Sequence, residues 1–406
     1  MSDTICSPDL ALAEVRPPAE RTAWAPVVSL SFGVFGLVTS EFLPVSLLTP
    51  MAADLGVSHG AVGQAITATA VVAAFAGPLL VLSSGRLDRR SIVFALMALL
   101  IASSVMAAFA TGIPMLLLAR GLLGFALGGF WAMMTALALR LVPSAQVPRA
   151  ISIIIMGVSL ATVFAAPLGS ALGELWGWRA TFLAASGIGA AALLFQLVTL
   201  PSLPSSAAPS LSDFRTALSH RAVAVGLVTV VIVVSGHFAG FTFIRPFLEE
   251  VPRLGVSTIS LTLLAFGIGG FLGNVAGGAI AERSPAWAVA SASLLIGVTA
   301  LVLVLQGAVP AVAMAATAVW GFAFGGFPVS ASIWNARAAP ALAESSGALL
   351  SSAFQVAIAS GAIVGGLLVD GFGPVGVTLY SALAVTVGAF VMLTLGRGIE
   401  RTRPAA

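Results

Sequence analysis

The stretch Gly124-Phe-Ala-Leu-Gly-Gly-Phe130 returns almost unchanged as Gly321-Phe-Ala-Phe-Gly-Gly-Phe327, an offset of 197 residues. Arg140 and Pro143 recur as Arg337 and Pro340 at the same offset. Gly169, Glu174 and Gly177 align with Gly365, Asp370 and Gly373 at 196, and Leu55-Gly-Val-Ser58 with Leu254-Gly-Val-Ser257 at 199. Agreement among so many separate segments makes the chain a duplication of two like halves.

The solvent of those halves follows from composition. Of 406 residues, 59% are hydrophobic and 8% charged, and the mean hydropathy is +1.09. A soluble domain carries about 25% charge, so lipid is the medium here. One bilayer span takes roughly 20 apolar residues, which leaves room for spans and short loops but none for a soluble catalytic domain. Lysine is absent, which excludes a P-loop ATPase. Cys6 is the only cysteine, which excludes a disulfide, a cysteine metal site and a Cys-X-X-Cys redox pair. His59, His220 and His237 are too scattered for a zinc cluster. The net charge of +3 comes from arginines in short loops between apolar runs, so it indicates membrane orientation and not nucleic-acid binding.

Apolar runs predict an all-α membrane protein of twelve transmembrane helices in two pseudo-symmetric six-helix bundles. Its spans run near 25–50, 60–83, 91–110, 114–140, 150–173 and 180–200, then 222–247, 257–281, 286–305, 311–336, 344–369 and 375–395. Residues 1–23 read as a polar tail, 24–200 as the first bundle, 201–221 as a Pro/Ser-rich linker, 222–396 as the second bundle and 397–406 as a second tail. With the N-terminus inside, only Arg179, Arg245 and Arg253 fall outside, and Arg120 lies within a span. All other arginines then lie on the inner side, as the positive-inside rule requires. Both termini and the linker are therefore expected in the cytoplasm, with the chain in a bacterial inner membrane.

The loop after span two reads Ser84-Gly-Arg-Leu-Asp88-Arg89-Arg90, and its counterpart after span eight ends Glu282-Arg283. Both follow the order small residue, three others, acid, arginine. Span four carries Arg120 in Leu118-Ala-Arg-Gly-Leu-Leu-Gly124, and span five carries Ala166-Pro-Leu-Gly-Ser170. These motifs resemble those of the major facilitator superfamily, although Ser84 replaces the usual glycine and the loop's later Gly-Arg-Arg is missing. Glu41-Phe-Leu-Pro-Val-Ser-Leu-Leu-Thr-Pro-Met-Ala-Ala-Asp-Leu-Gly56 is similar to the first-span signature of its twelve-span drug:proton antiporter group. Gly128-Gly-Phe-Trp-Ala-Met133 and Phe241-Thr-Phe-Ile-Arg-Pro246 resemble nucleoside-exporting members. The resemblance implies alternating-access export of inosine- or guanosine-like purine ribonucleosides, driven by proton influx. Sugar or multidrug efflux by the same mechanism is the nearest alternative. A membrane sensor that does not transport is a rival of another class, and an enzyme is not expected.

A charge inside a span is a functional candidate by default. Glu41 lies about 15 residues into span one, roughly 22 Å along a helix, and Pro44 removes the backbone bond to the Ser40 carbonyl. Glu41 is the expected proton carrier. His237 occupies the near-symmetric position of the second half, and Arg120 is placed to act on Glu41, so all three are assigned to proton coupling. A purine needs flat apolar contact and directional polar groups. Trp131, Phe238 and Trp334 are candidates for stacking, and Asn274 and Gln355 for hydrogen bonding. Asp88-Arg89 and Glu282-Arg283 are candidate latches on the cytoplasmic side. The expected partners are a nucleoside-like solute, protons and the lipid bilayer, with no cofactor, metal or nucleic acid, and the chain is expected to act as a monomer.

The arginine distribution makes a prediction. After Cys6→Ser, a single cysteine introduced beside Arg215 should react with an impermeant maleimide only from the cytoplasmic side. Labelling from the periplasm overturns the topology.

Overall fold

In lipid the backbone must satisfy its own polar groups, and an apolar chain does so by helix formation. The computed structural model describes residues 24–83, 87–143, 146–203, 211–340 and 343–401, and every regular element among them is helical. In order they are α1 (Trp24–Leu55), α2 (His59–Ser83), α3 (Arg89–Ala108), α4 (Ile113–Leu141), α5 (Val147–Thr199), α6 (Leu211–Ser219), α7 (Arg221–Thr242), α8 (Ile244–Glu250), α9 (Val256–Arg283), α10 (Pro285–Gln306), α11 (Pro310–Ala338), α12 (Ala343–Val391) and α13 (Arg397–Arg401), with a π-helical turn at Met392–Gly396.

Ten of these helices are long and apolar enough to cross a membrane. Two of the ten are too long for a single crossing. The 53 residues of α5 would extend about 80 Å, against a hydrocarbon core of about 30 Å. Gly177 breaks α5 with φ 82°, ψ 159°, and Gly373 breaks the 49-residue α12 with φ 69°, ψ 178°. That region of backbone space belongs to glycine. Two broken helices and eight unbroken ones make twelve crossings, and the breaks fall on a glycine pair that the repeat aligns.

Two elements differ from the sequence expectation. Span seven, expected to reach residue 247, stops at Thr242. Pro246 lacks the N–H that would bond the Thr242 carbonyl, so the chain turns at Phe243 and restarts as α8. Within the expected linker, residues Leu211–Ser219 form α6.

Small residues let the helices approach closely, which is the main source of helix adhesion where lipid removes the hydrophobic drive. In the first half, Gly124 and Gly128 of α4 face the Thr69 and Ala73 carbonyls of α2. In the second, Gly321 and Gly325 of α11 face the Phe266 and Gly270 carbonyls of α9. The partners repeat at the same offset as the glycines, so the duplicated motif marks a duplicated helix crossing. The halves meet where α2 packs on the first part of α12 and α5 packs on α9. There Gly60 lies against the Gly366 carbonyl, and Gly267 against the Val163 backbone.

Adjacent glycines of α9 test this packing. A Cβ on Gly277 would stand 2.6 Å from the Gly326 backbone, whereas one on Gly278 would meet only Val329 at 3.9 Å. Gly277→Ala should destabilise the protein by about 1–3 kcal/mol, while Gly278→Ala should be neutral or slightly stabilising, since alanine is the better helix former. Thermal unfolding in detergent measures both, and equal effects would contradict the crossing.

Candidate functional site between the halves

Helix α1 stays helical through Pro44 and Pro50, but each proline lacks the N–H that its helix would use. Pro44 leaves the Ser40 carbonyl without its donor, and Pro50 does the same at Ser46. An arginine fills each gap. Arg120 of α4, 1% exposed, donates from Nη1 to the Ser40 carbonyl at 2.7 Å and from Nη2 to the Glu41 carbonyl at 3.1 Å. Its Nε donates to Thr69 Oγ1 of α2 at 3.1 Å. Arg245 of α8 donates from Nη1 to the Ser46 carbonyl, and the same nitrogen lies 3.5 Å from Ser170 Oγ. Arg120 is thus a tie within the first half, whereas Arg245 ties the second half to the first.

The arrangement leaves the Glu41 side chain half-buried beside the guanidinium of Arg120, and among the described residues none donates a hydrogen bond to its carboxylate. The approach of Arg120 to Glu41 is made through the backbone carbonyl.

At the symmetric position, His237 is fully buried. Its Nδ1 accepts a hydrogen bond from Trp320 Nε1 at 3.0 Å. The imidazole lies in a column of near-parallel rings. Phe324 stacks at 3.4 Å between centroids, Phe241 lies on the column at 5.3 Å, and Phe266 stacks on Phe241 at 4.5 Å. Phe238 meets His237 edge-on at 5.0 Å. Across the interface, Phe42, next to Glu41, meets Phe241 edge-on at 6.3 Å. The two polar positions related by the repeat are therefore linked by aromatic rings between the halves.

The other candidates lie apart from this cluster. Trp131 is half-buried in the core of the first half. Trp334 is buried and donates to the Ala222 carbonyl at 3.0 Å, which pins α11 to the first turn of α7. Asn274 is half-buried on α9. Gln355 on α12 has a buried Oε1 with no hydrogen-bond partner.

Asp88 caps α3 by accepting from the Arg90 N–H at 2.8 Å, and it also accepts from Ser202 Oγ at 2.5 Å and the Leu203 N–H at 2.9 Å. The Ser202 bond leads in holding its carboxyl below the usual carboxylate range. Asp88 therefore fixes the start of the linker to its own half. Ser84 to Arg86 of this motif lie outside the described residues. Arg89 is buried. Glu282 and Arg283 are exposed, and Arg337 donates to the Glu282 carbonyl at 3.0 Å.

Several side-chain hydrogen bonds join the halves on the side away from the linker. Asp370 accepts from Ser58 Oγ at 2.7 Å and from the Gly60 N–H at 3.0 Å, so an acid of the second half caps α2 of the first. Thr49 donates to Glu249, which is ion-paired with Arg245 at 2.7 Å. The sequence reading missed Arg245, Asp370, Trp320 and Phe324. Pro50 signalled one open carbonyl, but nothing local named its donor.

Among the described residues no group of three His, Cys, Asp or Glu is placed to hold a metal ion.

Solved structures of similar shape include a bacterial homolog of the human lysosomal transporter Spinster in an inward-facing, unoccupied conformation. It has a TM-score of 0.73 and 16% identity, covering 96% of this chain and 99% of that one. The nucleoside transporter NupG gives a TM-score of 0.72 at 18% identity, covering 92% and 98%. Among curated proteins, the purine ribonucleoside efflux pump NepI of Salmonella paratyphi C is 41% identical over 375 residues, covering 92% of this chain and 93% of that protein. The pump of the same name from Salmonella typhimurium strain LT2 has the same identity and coverage. These relatives are transporters, not enzymes, and the sequence model of the Major Facilitator Superfamily matches residues 30–348. With twelve crossings in two repeated bundles and this match over most of its length, the chain belongs to the major facilitator superfamily.

Proposed function

We propose that this protein exports purine ribonucleosides from the cytoplasm by alternating access, with protons moving inward in exchange. The observation that carries the reading is the ring column of Phe324, His237, Phe241 and Phe266 in the second half, linked across the interface through Phe42 to the helix turn that bears Glu41. Flat rings supply the stacking surface that a purine base needs. The 41% identity to the NepI pumps, maintained over nearly the whole chain, supports the same substrate class.

Glu41 is the group best placed to carry the proton. It lies deep in α1, and no described residue donates to its carboxylate. Arg120 is held to backbone carbonyls and Thr69, which keeps α1, α2 and α4 in register without neutralising the acid through a direct bond. In the proposed cycle Glu41 takes a proton when the site faces the periplasm, and this releases the nucleoside. It gives the proton up toward the cytoplasm, where the carboxylate again accepts hydrogen bonds from substrate. Proton and substrate thus exclude each other at one site. Each shifts the conformational equilibrium only by its differential affinity for the two states.

Both termini face the cytoplasm in this scheme. The contacts of Arg245, Glu249 and Asp370 then close the periplasmic side, and the chain works as a monomer in the inner membrane.

Inverted vesicles with an imposed pH difference test the substrate class. Inosine and guanosine should inhibit uptake of labelled inosine more strongly than arabinose or a cationic dye does. The reverse order would make the protein a sugar or drug exporter. The same vesicles test the coupling. Glu41→Gln should still exchange nucleoside down its gradient but should lose accumulation against it. Undiminished accumulation would place the proton elsewhere.

A further inference from the structure

His237 has one feature that stacking does not use. Trp320 Nε1 can only donate a hydrogen bond, and it donates to His237 Nδ1 at 3.0 Å. Nδ1 must therefore present a lone pair, and the proton of the neutral ring lies on Nε2. That Nε2 is buried and has no hydrogen-bond partner among the described residues. A buried N–H without an acceptor is costly, and the ring's stacking contacts are with Phe324 and Phe241. The open valence lies in the ring plane, at the edge turned away from Trp320. Beside the ring, Phe238 stands edge-on, and Phe241 carries the contact with Phe42 of the other half.

The geometry points to His237 Nε2–H as the donor that recognises the 6-oxo group of a purine base, with Trp320 as the positioning residue that fixes the tautomer. This inference rests on the purine reading above and deepens it. A lone donor surrounded by rings accepts an acceptor atom and disfavours another donor. Inosine and guanosine present a carbonyl oxygen at position 6, whereas adenosine presents an amino group there. An adenine amino group facing Nε2–H would leave two donors opposed and both unpaired. Binding to His237 in this way uses the imidazole as a fixed neutral donor. A second proton on Nδ1 would displace the Trp320 bond, so the tautomer lock separates the role of His237 from that of Glu41.

The test compares inosine with adenosine transport in the full-length protein, for the wild type, His237→Phe and Trp320→Phe. Phenylalanine at 237 keeps a stacking ring and deletes the N–H. The wild type should prefer inosine, and His237→Phe should lose about tenfold of that preference, chiefly through KM. Trp320→Phe should lose a smaller part of it, because the ring becomes free to adopt either tautomer. A purely structural defect would lower transport of both nucleosides equally and leave the ratio unchanged. Nitrogen-15 NMR of His237 gives an independent readout. The wild type should show Nε2 protonated and Nδ1 bare, and Trp320→Phe should show a mixture. An unchanged inosine-to-adenosine ratio in His237→Phe, a wild type indifferent to the two nucleosides, or a wild-type ring protonated on Nδ1 would overturn the assignment while leaving the purine reading intact. Failure of the wild type to carry either nucleoside would instead remove the purine reading, and this assignment with it.

Discussion

A backbone carbonyl with no donor is expensive inside a bilayer, and α1 creates two such carbonyls through Pro44 and Pro50. The rest of the site is arranged around them. Arg120 caps the first gap from within its own half and, by also holding Thr69, fixes α1, α2 and α4 together around Glu41. Arg245 caps the second gap from the opposite half. The two ties differ in consequence. Movement of one half against the other leaves the Arg120 tie intact but must break the Arg245 tie. The Ser46 carbonyl then needs another donor, and water entering between the halves is the one at hand. Parting of the halves on that side is thereby linked to hydration of the path.

Duplication accounts for the scaffold, and departures from it account for the chemistry. Helix crossings at Gly124, Gly128, Gly321 and Gly325 repeat down to the residues they touch, and the helix breaks at Gly177 and Gly373 repeat in conformation. At the polar positions the halves diverge. Glu41 is attended by an arginine, whereas His237 is attended by a tryptophan. An acid beside a cation and an imidazole locked by an indole are different tools. The repeat sets both at corresponding positions, which Phe42 and Phe241 join across the interface, where repeated bundles place their substrate.

Most of the fold was legible because its determinants are local. Apolar runs set the spans, and the gaps between spans five and six and between spans eleven and twelve contain the two glycines that break α5 and α12. Glu41 and Arg120 stood out because charge is rare in such runs. Partner identities were not legible, because they depend on tertiary approach. The pairing of Trp320 with His237 crosses 83 residues of chain, and Arg245 reads from sequence as an ordinary outer-loop charge. Trp334 resembles a stacking candidate by type, yet its N–H is used to hold the start of α7. The early stop of α7 was written in Pro246, but hydropathy alone runs past it.

Competition between proton and nucleoside for one site is the central claim, and proton release on binding measures it most directly. Purified protein in weakly buffered detergent solution, titrated with inosine near neutral pH, should release protons as the nucleoside binds. Its inosine affinity should fall as the solution is acidified, and Glu41→Gln should bind without releasing protons. Inosine binding by the wild type with no proton released, and with an affinity independent of pH, would contradict the account.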